Sequence, residues 1–294
     1  MEYDLHKLTK RASFPFETIA VGLSFSPRMA PVLVEAKKIA DACNSKLILI
    51  HVGEKTKEKS KELEDILFKN NIEERKVKII WTEGDVVDTI LKLCKLNIVD
   101  LLILGALEKE SILRFYMGSP ARTLSRKAKC SVLLLTQDKL VSYPQQKVLV
   151  KVDLDHPKTA HSINTAQYFA KVMGIKEISM VREMHAPAMA MTMADSSSAP
   201  EVTKLKKEFS ESESSKLHSI VSKCDTGLIK INEKIVKGKP GYAIRQYAET
   251  KKADLLVINS PDMNLTLFDR IFTHDIEYIL AELPCNLLIV HSRI

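Results

Sequence analysis

Short apolar segments alternate with longer amphipathic segments along almost the whole chain. The short segments are rich in Leu, Ile and Val, whereas the longer ones repeat apolar residues at helical spacing. This alternation is typical of parallel strands joined by crossover helices. In the first half it predicts strands at 18–23, 46–52, 77–82, 101–104 and 131–135, with helices at 29–43, 57–70, 86–96 and 119–128. In the second half it predicts strands at 147–152, 177–181, 228–236, 255–258 and 286–290.

The second half of the sequence repeats the first. The segment VDLLILG at 99–105 reappears as ADLLVIN at 253–259, and CSVLLL at 130–135 reappears as CNLLIV at 285–290. Self-similarity of this kind indicates two copies of one folding unit. We therefore predict an α/β protein of two consecutive, doubly wound, five-stranded parallel-sheet domains of Rossmann-like type.

The repeat also predicts the domain boundaries. An N-terminal tail covers 1–15, the first domain 16–138, a linker 139–146 and the second domain 147–294. The second copy is longer, and we assign its additional residues to an insertion at 183–215. This stretch contains several Met and Ser residues with little periodicity, so we interpret it as a long loop or lid running into a helix near Glu201. An insertion without a role is the alternative.

Composition narrows the classes of function. The chain has 294 residues, 44 Lys+Arg against 37 Asp+Glu, and a formal net charge of +7. A basic protein attracts nucleic acid, but the lysines at 55–61 are interspersed with glutamates, which is typical of a solvated helix face. We therefore do not expect nucleic-acid binding. The apolar segments are too short to span a membrane and the first residues lack a signal-like apolar region, so we predict a cytoplasmic protein without membrane association. The five cysteines are widely separated and suggest neither a disulfide framework nor a zinc ribbon.

Three motifs of the first copy occur in a characteristic order. They are IAVGLSFSP at 19–27, Glu-Gly-Asp at 83–85, and a loop that begins at Gly105 and ends at Gly118-Ser119. In this order and spacing the sequence resembles the universal stress proteins in their tandem two-domain form, over roughly 16–137 and 147–293. The resemblance implies an adenine-nucleotide-hydrolase-like fold and, as ligand of the first domain, ATP or another adenine nucleotide.

The end of this loop also suits phosphate on physical grounds. Ser119 is placed as an N-cap and Pro120 as the first helical residue, and a helix N-terminus offers unpaired N–H groups and a positive dipole end. Gly105 and Gly118 let the backbone approach oxygen atoms closely. Positive charge is available from three side chains, Lys109, Arg114 and Arg28.

The resemblance assigns two further residues and exposes two departures. It implies that Val52, at the end of the second strand, contacts adenine through its backbone. Ser24 stands where nucleotide-binding members of the family have an acid, and Glu108 replaces the second glycine of the loop with a carboxylate that opposes phosphate. The first domain thus keeps part of the signature, and glycines inherited with the fold are the alternative to a working site.

The second domain departs differently. Asp153 restores the acid of the first strand, but the loop at 259–275 contains no glycine, and Asp275 and Glu277 place carboxylates in the first turn of the following helix. We predict that this domain does not bind ATP in the manner of the family. Carboxylates and imidazoles suit zinc or another divalent ion, and the candidate ligands are Asp153, Asp155, His156 and His185. A small apolar ligand over the Met-containing insertion is a further alternative.

Catalytic motifs do not emerge from the sequence. There is no Walker loop and no G-x-S-x-G, and Cys130 and Cys285 precede buried strands, so we predict core cysteines. We predict a regulatory ligand-binding or interaction module of the stress response rather than an enzyme, with slow ATP hydrolysis by the first domain as the alternative. The resemblance implies association through the last strand, so we expect the strands at 131–135 and 286–290 to form an intrachain pseudo-dimer. We also expect a homodimer through the helices or the insertion.

Overall fold

A computed structural model of the chain describes residues 14–109, 114–116, 118–136, 146–154, 156, 159–184, 199–224, 227–260 and 274–291. The chain divides into two compact units. Unit 1 comprises Met1–Tyr143 together with Asn286–Ile294, and unit 2 comprises Pro144–Cys285.

Unit 1 is built from strands that alternate with helices. The strands are β1 (Thr18–Gly22), β2 (Lys46–Val52), β3 (Val77–Thr82), β4 (Leu101–Gly105) and β7 (Ser131–Leu135), with β12 (Asn286–Val290) from the end of the chain. The helices are α1 (Met29–Cys43), α2 (Lys57–Lys69), α3 (Val86–Leu96) and α4 (Ser119–Lys127), with a short 3-10 helix at Glu74–Lys76. A separate antiparallel hairpin of β5 (Leu107–Lys109) and β6 (Arg114–Tyr116) lies between β4 and α4.

The sheet of unit 1 has the order β12-β7-β4-β1-β2-β3, and all neighbours except β12 and β7 are parallel. Right-handed crossovers place α1 and α2 on one face and α3 and α4 on the other, and α3 contacts α4. The central strands β1, β4 and β7 are buried almost throughout because helices cover both faces. This accounts for their continuous apolar sequences.

Unit 2 repeats this arrangement. Its parallel sheet has the order β10-β9-β8-β11, from β8 (Val148–Lys151), β9 (Glu177–Met184), β10 (Lys230–Lys237) and β11 (Leu255–Asn259). Its helices are α5 (Thr159–Met173), α6 (Ala199–Val221), α7 (Tyr242–Lys251) and α8 (His274–Ala281). The predicted α/β architecture of two Rossmann-like domains is therefore confirmed.

The aspartate of the sequence repeat has a structural role in both units. Asp100 Oδ2 accepts hydrogen bonds from Glu17 N at 2.9 Å and Thr18 N at 2.8 Å, which fixes the start of β1. Asp254 Oδ2 accepts from Lys147 N at 2.8 Å, just before β8. Both aspartates are buried, and their backbone bonds replace the water that the carboxylates lose.

The last strand of the second repeat pairs inside unit 1. β12 runs antiparallel to β7, with Leu288 opposite Leu133. Beside this pair, Asn286 Oδ1 accepts from Thr136 N at 2.8 Å. At the other end, His291 Nε2 lies 3.0 Å from the carbonyl oxygen of Ser125 and therefore donates its proton to it. All five residues of β12 are buried.

The sequence predicted most elements to within one or two residues, with three differences. The hairpin of β5 and β6 was not predicted, because each strand has only three residues. β9 continues to Met184, three residues past the predicted end. The helix expected near Glu201 is α6, and residues 185–198 of the predicted insertion lie outside the described part of the chain.

The cysteine prediction is confirmed. Cys130 and Cys285 are buried, with side chains 3% and 2% exposed. Burial, with a smaller contribution from the nearby Asp254 carboxylate, raises the pKa of the Cys285 thiol. A thiol held in its neutral form is a poor nucleophile.

Glu35 is an unusual group in the core of unit 1. It lies on the buried face of α1, only 2% exposed, and its Oε2 has no hydrogen-bond partner among the described residues. Burial raises its pKa to about 7, and Lys38 only partly opposes this effect. The folded protein therefore carries a carboxyl group that is protonated in mildly acidic solution.

We predict that Glu35 makes stability fall as pH rises from about 4.5 to about 7. In this window the folded state holds a proton that the unfolded chain has released, so the stabilisation is complete below 4.5 and is lost above 7. Glu35→Gln should remove this dependence and raise the free energy of unfolding at pH 8 by about 2 kcal/mol. Urea unfolding at pH 5 and pH 8 tests it, with Glu62→Gln on the exposed face of α2 as control. Parallel pH profiles for Glu35→Gln and the unaltered protein would contradict the prediction.

Candidate functional site

The candidate site of unit 1 lies at the carboxyl ends of three neighbouring strands. Ser24 follows β1, Val52 ends β2 and Gly105 ends β4, with β1 between the other two. The strand order reverses between β1 and β4, which is where sheets of this type form a ligand crevice. The topology thus brings three of the predicted residues to one edge of the sheet.

The backbone of Val52 is directed into this crevice. Leu23 N donates to Ile50 O at 2.8 Å, so Ile50 faces β1, and Val52, two residues further along β2, faces the same side. Since β1 ends at Gly22, the N–H and C=O of Val52 point past its end. Ser24 is exposed, and its Oγ lies 3.4 Å from Ser26 Oγ.

The N-cap of the helix that follows the loop lies one residue earlier than predicted. Gly118 is the N-cap of α4, so Ser119 is the first helical residue and Pro120 the second; the assignment of Ser119 as the N-cap was wrong. The reason is that Gly118 already has the extended backbone of a cap, with φ −62° and ψ 157°. The N-cap Gly118 has no side chain with which to cap α4, and the first turn of the helix contains no acid, so its N–H groups remain available to an anion in the crevice as far as the described residues show.

A second helix adds to the positive potential of the crevice. Arg28 is the N-cap residue of α1; its side chain does not cap the helix, and the first turn of α1 contains no acid. Arg28 Nη1 donates to Ala106 O at 3.1 Å, which places the guanidinium beside the end of β4. Two helix dipoles and one guanidinium therefore favour an anion here.

The two loop glycines differ in whether the structure requires glycine at that position. A Cβ on Gly105 would approach Val32 Cγ2 to 3.1 Å, so this glycine allows α1 to pack closely on the end of β4. Gly118 has a φ that any residue can adopt, so its backbone conformation does not require glycine. Lys109 is the last residue of β5, opposite Arg114 of β6, so the predicted loop contains a hairpin.

An aromatic cluster that the sequence analysis missed lies beside Val52. The rings of Phe25 and Trp81 stack with centroids 5.7 Å apart, and His51 meets both edge-on at 4.8 and 5.1 Å. Lys55 Nζ lies 5.6 Å from the Trp81 ring centroid. The single Trp of the sequence was the available signal, but the position of Phe25 depends on the turn after β1.

One ring nitrogen of His51 has a hydrogen-bond partner, and the other has none among the described residues. Its Nδ1 lies 3.2 Å from Leu23 O and must donate, because a carbonyl only accepts. Its buried Nε2 has no hydrogen-bond partner among the described residues and lies 3.1 Å from where a Cβ on Gly53 would be. Gly53 has φ +149°, so glycine is favoured there both by conformation and by the imidazole.

In unit 2, charged side chains of the protein itself occupy the equivalent crevice. Val152 N donates to Val181 O as Leu23 N donates to Ile50 O, so Glu183 occupies the position of Val52. Its carboxylate accepts from Gly241 N at 3.0 Å and Ile244 N at 2.9 Å, and thereby caps α7. Lys151 Nζ lies 3.2 Å from Glu183 Oε2, and the Glu183 side chain is only 3% exposed.

Asp153, the acid of the first strand, is also paired. Arg182 Nη1 lies 3.4 Å from Asp153 Oδ1, and its Nε donates to Glu213 Oε2 of α6 at 3.1 Å. Burial alone would raise the pKa of Glu213, but hydrogen bonds from Lys216 and Arg182 outweigh it and hold that pKa below its usual value. The guanidinium that occupies this crevice thus has carboxylates on two sides.

The loop glycine of unit 1 is replaced by a hydrogen-bonding side chain in unit 2. Asn259 ends β11 as Gly105 ends β4. Its Oδ1 accepts from Ser162 Oγ, and its Nδ2 donates to Thr159 Oγ1 at 3.1 Å. Ser162 is the fourth residue of α5, as Val32 is of α1, so the Asn259 amide hydrogen-bonds a small hydroxyl in unit 2 where Val32 packs against Gly105 in unit 1.

Comparison with protein families supplies the deciding observation. The sequence model of the universal stress protein family matches the chain twice, at residues 15–136 and 146–291. The chain belongs to the universal stress protein family. The two matches make it a tandem member, as the sequence motifs predicted.

Solved structures similar to this universal stress protein support the fold. A functionally unknown protein from Pseudomonas aeruginosa PAO1 is 16% identical with a TM-score of 0.67, over 97% of this chain and 94% of its own. A putative universal stress protein from Pseudomonas aeruginosa UCBPP-PA14 is 17% identical with a TM-score of 0.66, over 94% and 93%. A universal stress protein from Archaeoglobus fulgidus DSM 4304 is 16% identical with a TM-score of 0.63, over 95% and 100%. A search of the curated proteins found no match.

The predicted metal ligands of this universal stress protein are only partly described. Asp155 and His185 lie outside the described residues, Asp153 pairs with Arg182, and the backbone N–H of His156 donates to Asp153 O at 3.2 Å. Across the described residues, no group of three or more His, Cys, Asp or Glu side chains is arranged to hold a metal ion. No described helix is long and apolar enough to cross a membrane.

We predict that Glu183 is essential to the stability of unit 2. Glu183→Ala removes the α7 cap and takes the carboxylate away from the half-buried Lys151 ammonium, which should lower the free energy of unfolding by about 3–5 kcal/mol. Glu177→Ala is the control, because this exposed residue of the same strand pairs with Lys230 at the surface and should change stability by less than about 1 kcal/mol. Adding Lys151→Met to Glu183→Ala should recover part of the loss. Denaturant unfolding followed by circular dichroism measures all three, and equal losses for Glu183→Ala and Glu177→Ala would refute the assignment.

Proposed function

We propose that this universal stress protein is a ligand-responsive regulatory module that binds one molecule of ATP or another adenine nucleotide in unit 1. The observation that carries the proposal is the N-terminus of α4, whose N-cap Gly118 has no side chain and whose first turn contains no acid. Such an end binds phosphate through its backbone N–H groups. The start of α1, where Arg28 makes no side-chain cap, and the Arg28 guanidinium also favour a negatively charged ligand.

Five of the six residues predicted for this site have a direct role in the proposal. The N–H groups that follow Gly118, and the hydroxyl of Ser119, bind phosphate oxygens. Val52 hydrogen-bonds the adenine edge through its backbone, beside the apolar rings of the aromatic cluster. Ser24 offers a hydroxyl near the ribose, and Lys109 supplies positive charge from the hairpin.

We propose that unit 1 binds ATP rather than hydrolysing it, because Ser24 stands at the end of β1. A hydroxyl at the end of β1 is a weaker ligand for the divalent ion that accompanies ATP than the acid found there in nucleotide-binding relatives. Nucleotide occupancy would then act as a signal read by partners. We propose that this takes place in the cytoplasm, in the stress response for which the family is named.

Unit 2 has a different part in the proposal. Glu183, Arg182 and Asn259 occupy the positions at which a nucleotide would contact the sheet, which supports one nucleotide per chain. We also propose that the two repeats form an intrachain pseudo-dimer through their last strands. The antiparallel pairing of β12 with β7 within unit 1 supports this.

We predict that ATP binds the full chain with a stoichiometry of one and that Gly118→Asp abolishes binding. An Asp at this N-cap occupies the α4 N–H groups with its own carboxylate and repels phosphate. The same cap should stabilise the free protein by a few tenths of a kcal/mol, so its melting temperature rises slightly while the ATP-induced shift disappears. Isothermal titration calorimetry and thermal unfolding measure the two effects.

The matched control is Gly118→Asn, which can cap α4 equally well without charge. It should stabilise the free protein similarly but retain measurable ATP binding. If ATP produces neither heat nor a thermal shift with the unaltered chain, the nucleotide proposal is refuted. Two molecules of ATP per chain would refute the assignment of the site to unit 1 alone.

A further inference from the structure

The outer strand of unit 1 has an unusually apolar edge. β3 pairs with β2 on one side and ends the strand order of the unit. Ile79, Ile80 and Trp81 are all half-buried, and Lys78 is the one charged residue of the strand. An exposed apolar edge strand is a template for pairing with another strand, and proteins normally protect such edges with charges.

The corresponding strand of unit 2 shows that protection. β10 ends the strand order of its unit and carries Lys230, Glu233, Lys234 and Lys237. Two strands of equivalent topology thus differ in the property that controls edge-to-edge association.

The outward backbone groups of β3 can be identified. Gly53 N donates to Thr82 O at 2.7 Å, so the backbone of Thr82 faces β2. Because successive residues of a strand face opposite sides, Ile79 and Trp81 direct their N–H and C=O groups away from β2. Lys78 Nζ donates to Asn97 Oδ1 at 2.7 Å, which holds its charge against the end of α3. The neighbours of Asn97, Leu96 and Ile98, are 39% and 38% exposed, so the apolar surface extends beyond β3.

We propose that two copies of the chain associate through β3, antiparallel about a twofold axis at Ile80. In this register Ile80 lies opposite Ile80 of the second copy. Ile79 lies opposite Trp81, and Lys78 lies opposite Thr82. The outward groups of Ile79 and Trp81 form four hydrogen bonds across the axis, because each such pair exchanges two. No like charges lie opposite each other, and the contact is self-complementary as a twofold dimer requires.

Charge complementarity selects β3 over β10 as the pairing strand. A symmetric antiparallel pairing must place one residue opposite its own copy, and in the middle of β10 that residue is Glu233 or Lys234. Like charges directly opposite each other oppose strand pairing. The dimer that the sequence analysis expected through helices or the insertion is thereby assigned to a strand edge.

Sedimentation equilibrium of the full chain over a range of concentrations is the first test. The proposal expects a reversible species of twice the 33.1 kDa chain mass. Ile80→Lys places two ammonium groups at the axis and removes two apolar side chains, so it should weaken the dimer by about tenfold or more. Ile231→Lys, the same change on β10, should leave the dimer unchanged. Circular dichroism and melting temperature establish that the variants are folded.

Cysteine crosslinking tests the register and remains decisive if Ile80→Lys fails to fold. Residues facing each other in such a non-hydrogen-bonded pair have Cα atoms about 4.5 Å apart, which a disulfide can bridge. Ile80→Cys should therefore form a linked dimer under mild oxidation. Lys78→Cys alone should not, but it should crosslink when mixed with Thr82→Cys. The unaltered chain, which has five cysteines of its own, is the background control.

Three results would overturn the proposal. One is a monomer at all concentrations up to about 100 μM, well above the range of specific protein association. Another is a dimer that folded Ile80→Lys leaves intact. The third is the absence of an Ile80→Cys crosslink above background in a sample that is dimeric by sedimentation.

Discussion

In a parallel sheet every strand ends at the same edge, and the helices that follow begin there with N–H groups that need partners. This constraint governs both units, which have the same fold but meet it in opposite ways. In unit 1 the N-cap residues of α1 and α4 provide no side-chain cap, the first turns of both helices contain no acid, and Arg28 adds positive charge, so the edge favours an anion. In unit 2 the carboxylate of Glu183 reaches the N–H groups of α7 from the neighbouring strand. One unit is thus suited to receive a ligand, and the other is satisfied internally.

The divergence between the units follows from a few substitutions with coupled effects. Replacing the position of Val52 by Glu183 places a carboxylate in the sheet, which requires Lys151 to neutralise it. Arg182, at the position of His51, requires Asp153 and Glu213 in the same way. Replacing Gly105 by Asn259 requires the hydroxyls of α5. Each polar change therefore has a partner, and a single reversion would leave a buried group unpaired.

The elements of the fold were largely predictable from the sequence because strands buried on both faces produce continuous apolar segments, as in β4 and β7. Asp100 and Asp254 could also be identified from the sequence, because they occupy the same position of the repeat. Gly105 and Gly118 could be recognised from spacing, although the cap was placed one residue late. The roles of Glu183 and Arg182 were not predictable, because they depend on contacts between residues that are 29 to 61 positions apart in sequence. The stacking of Phe25 on Trp81 was missed for the same reason.

The pairing of β12 with β7 makes the order of synthesis matter. Thr136 and Asn286 are separated by 150 residues, so the ribosome must produce the whole of unit 2 before β7 acquires this partner. During that interval a strand of sequence SVLLL has an open edge in an otherwise assembled sheet. Closing so long a loop is entropically slow, and an open apolar strand edge is a template for pairing with other chains. The synthesis of β12 thus ends the period in which the open edge of β7 is available for pairing with other chains.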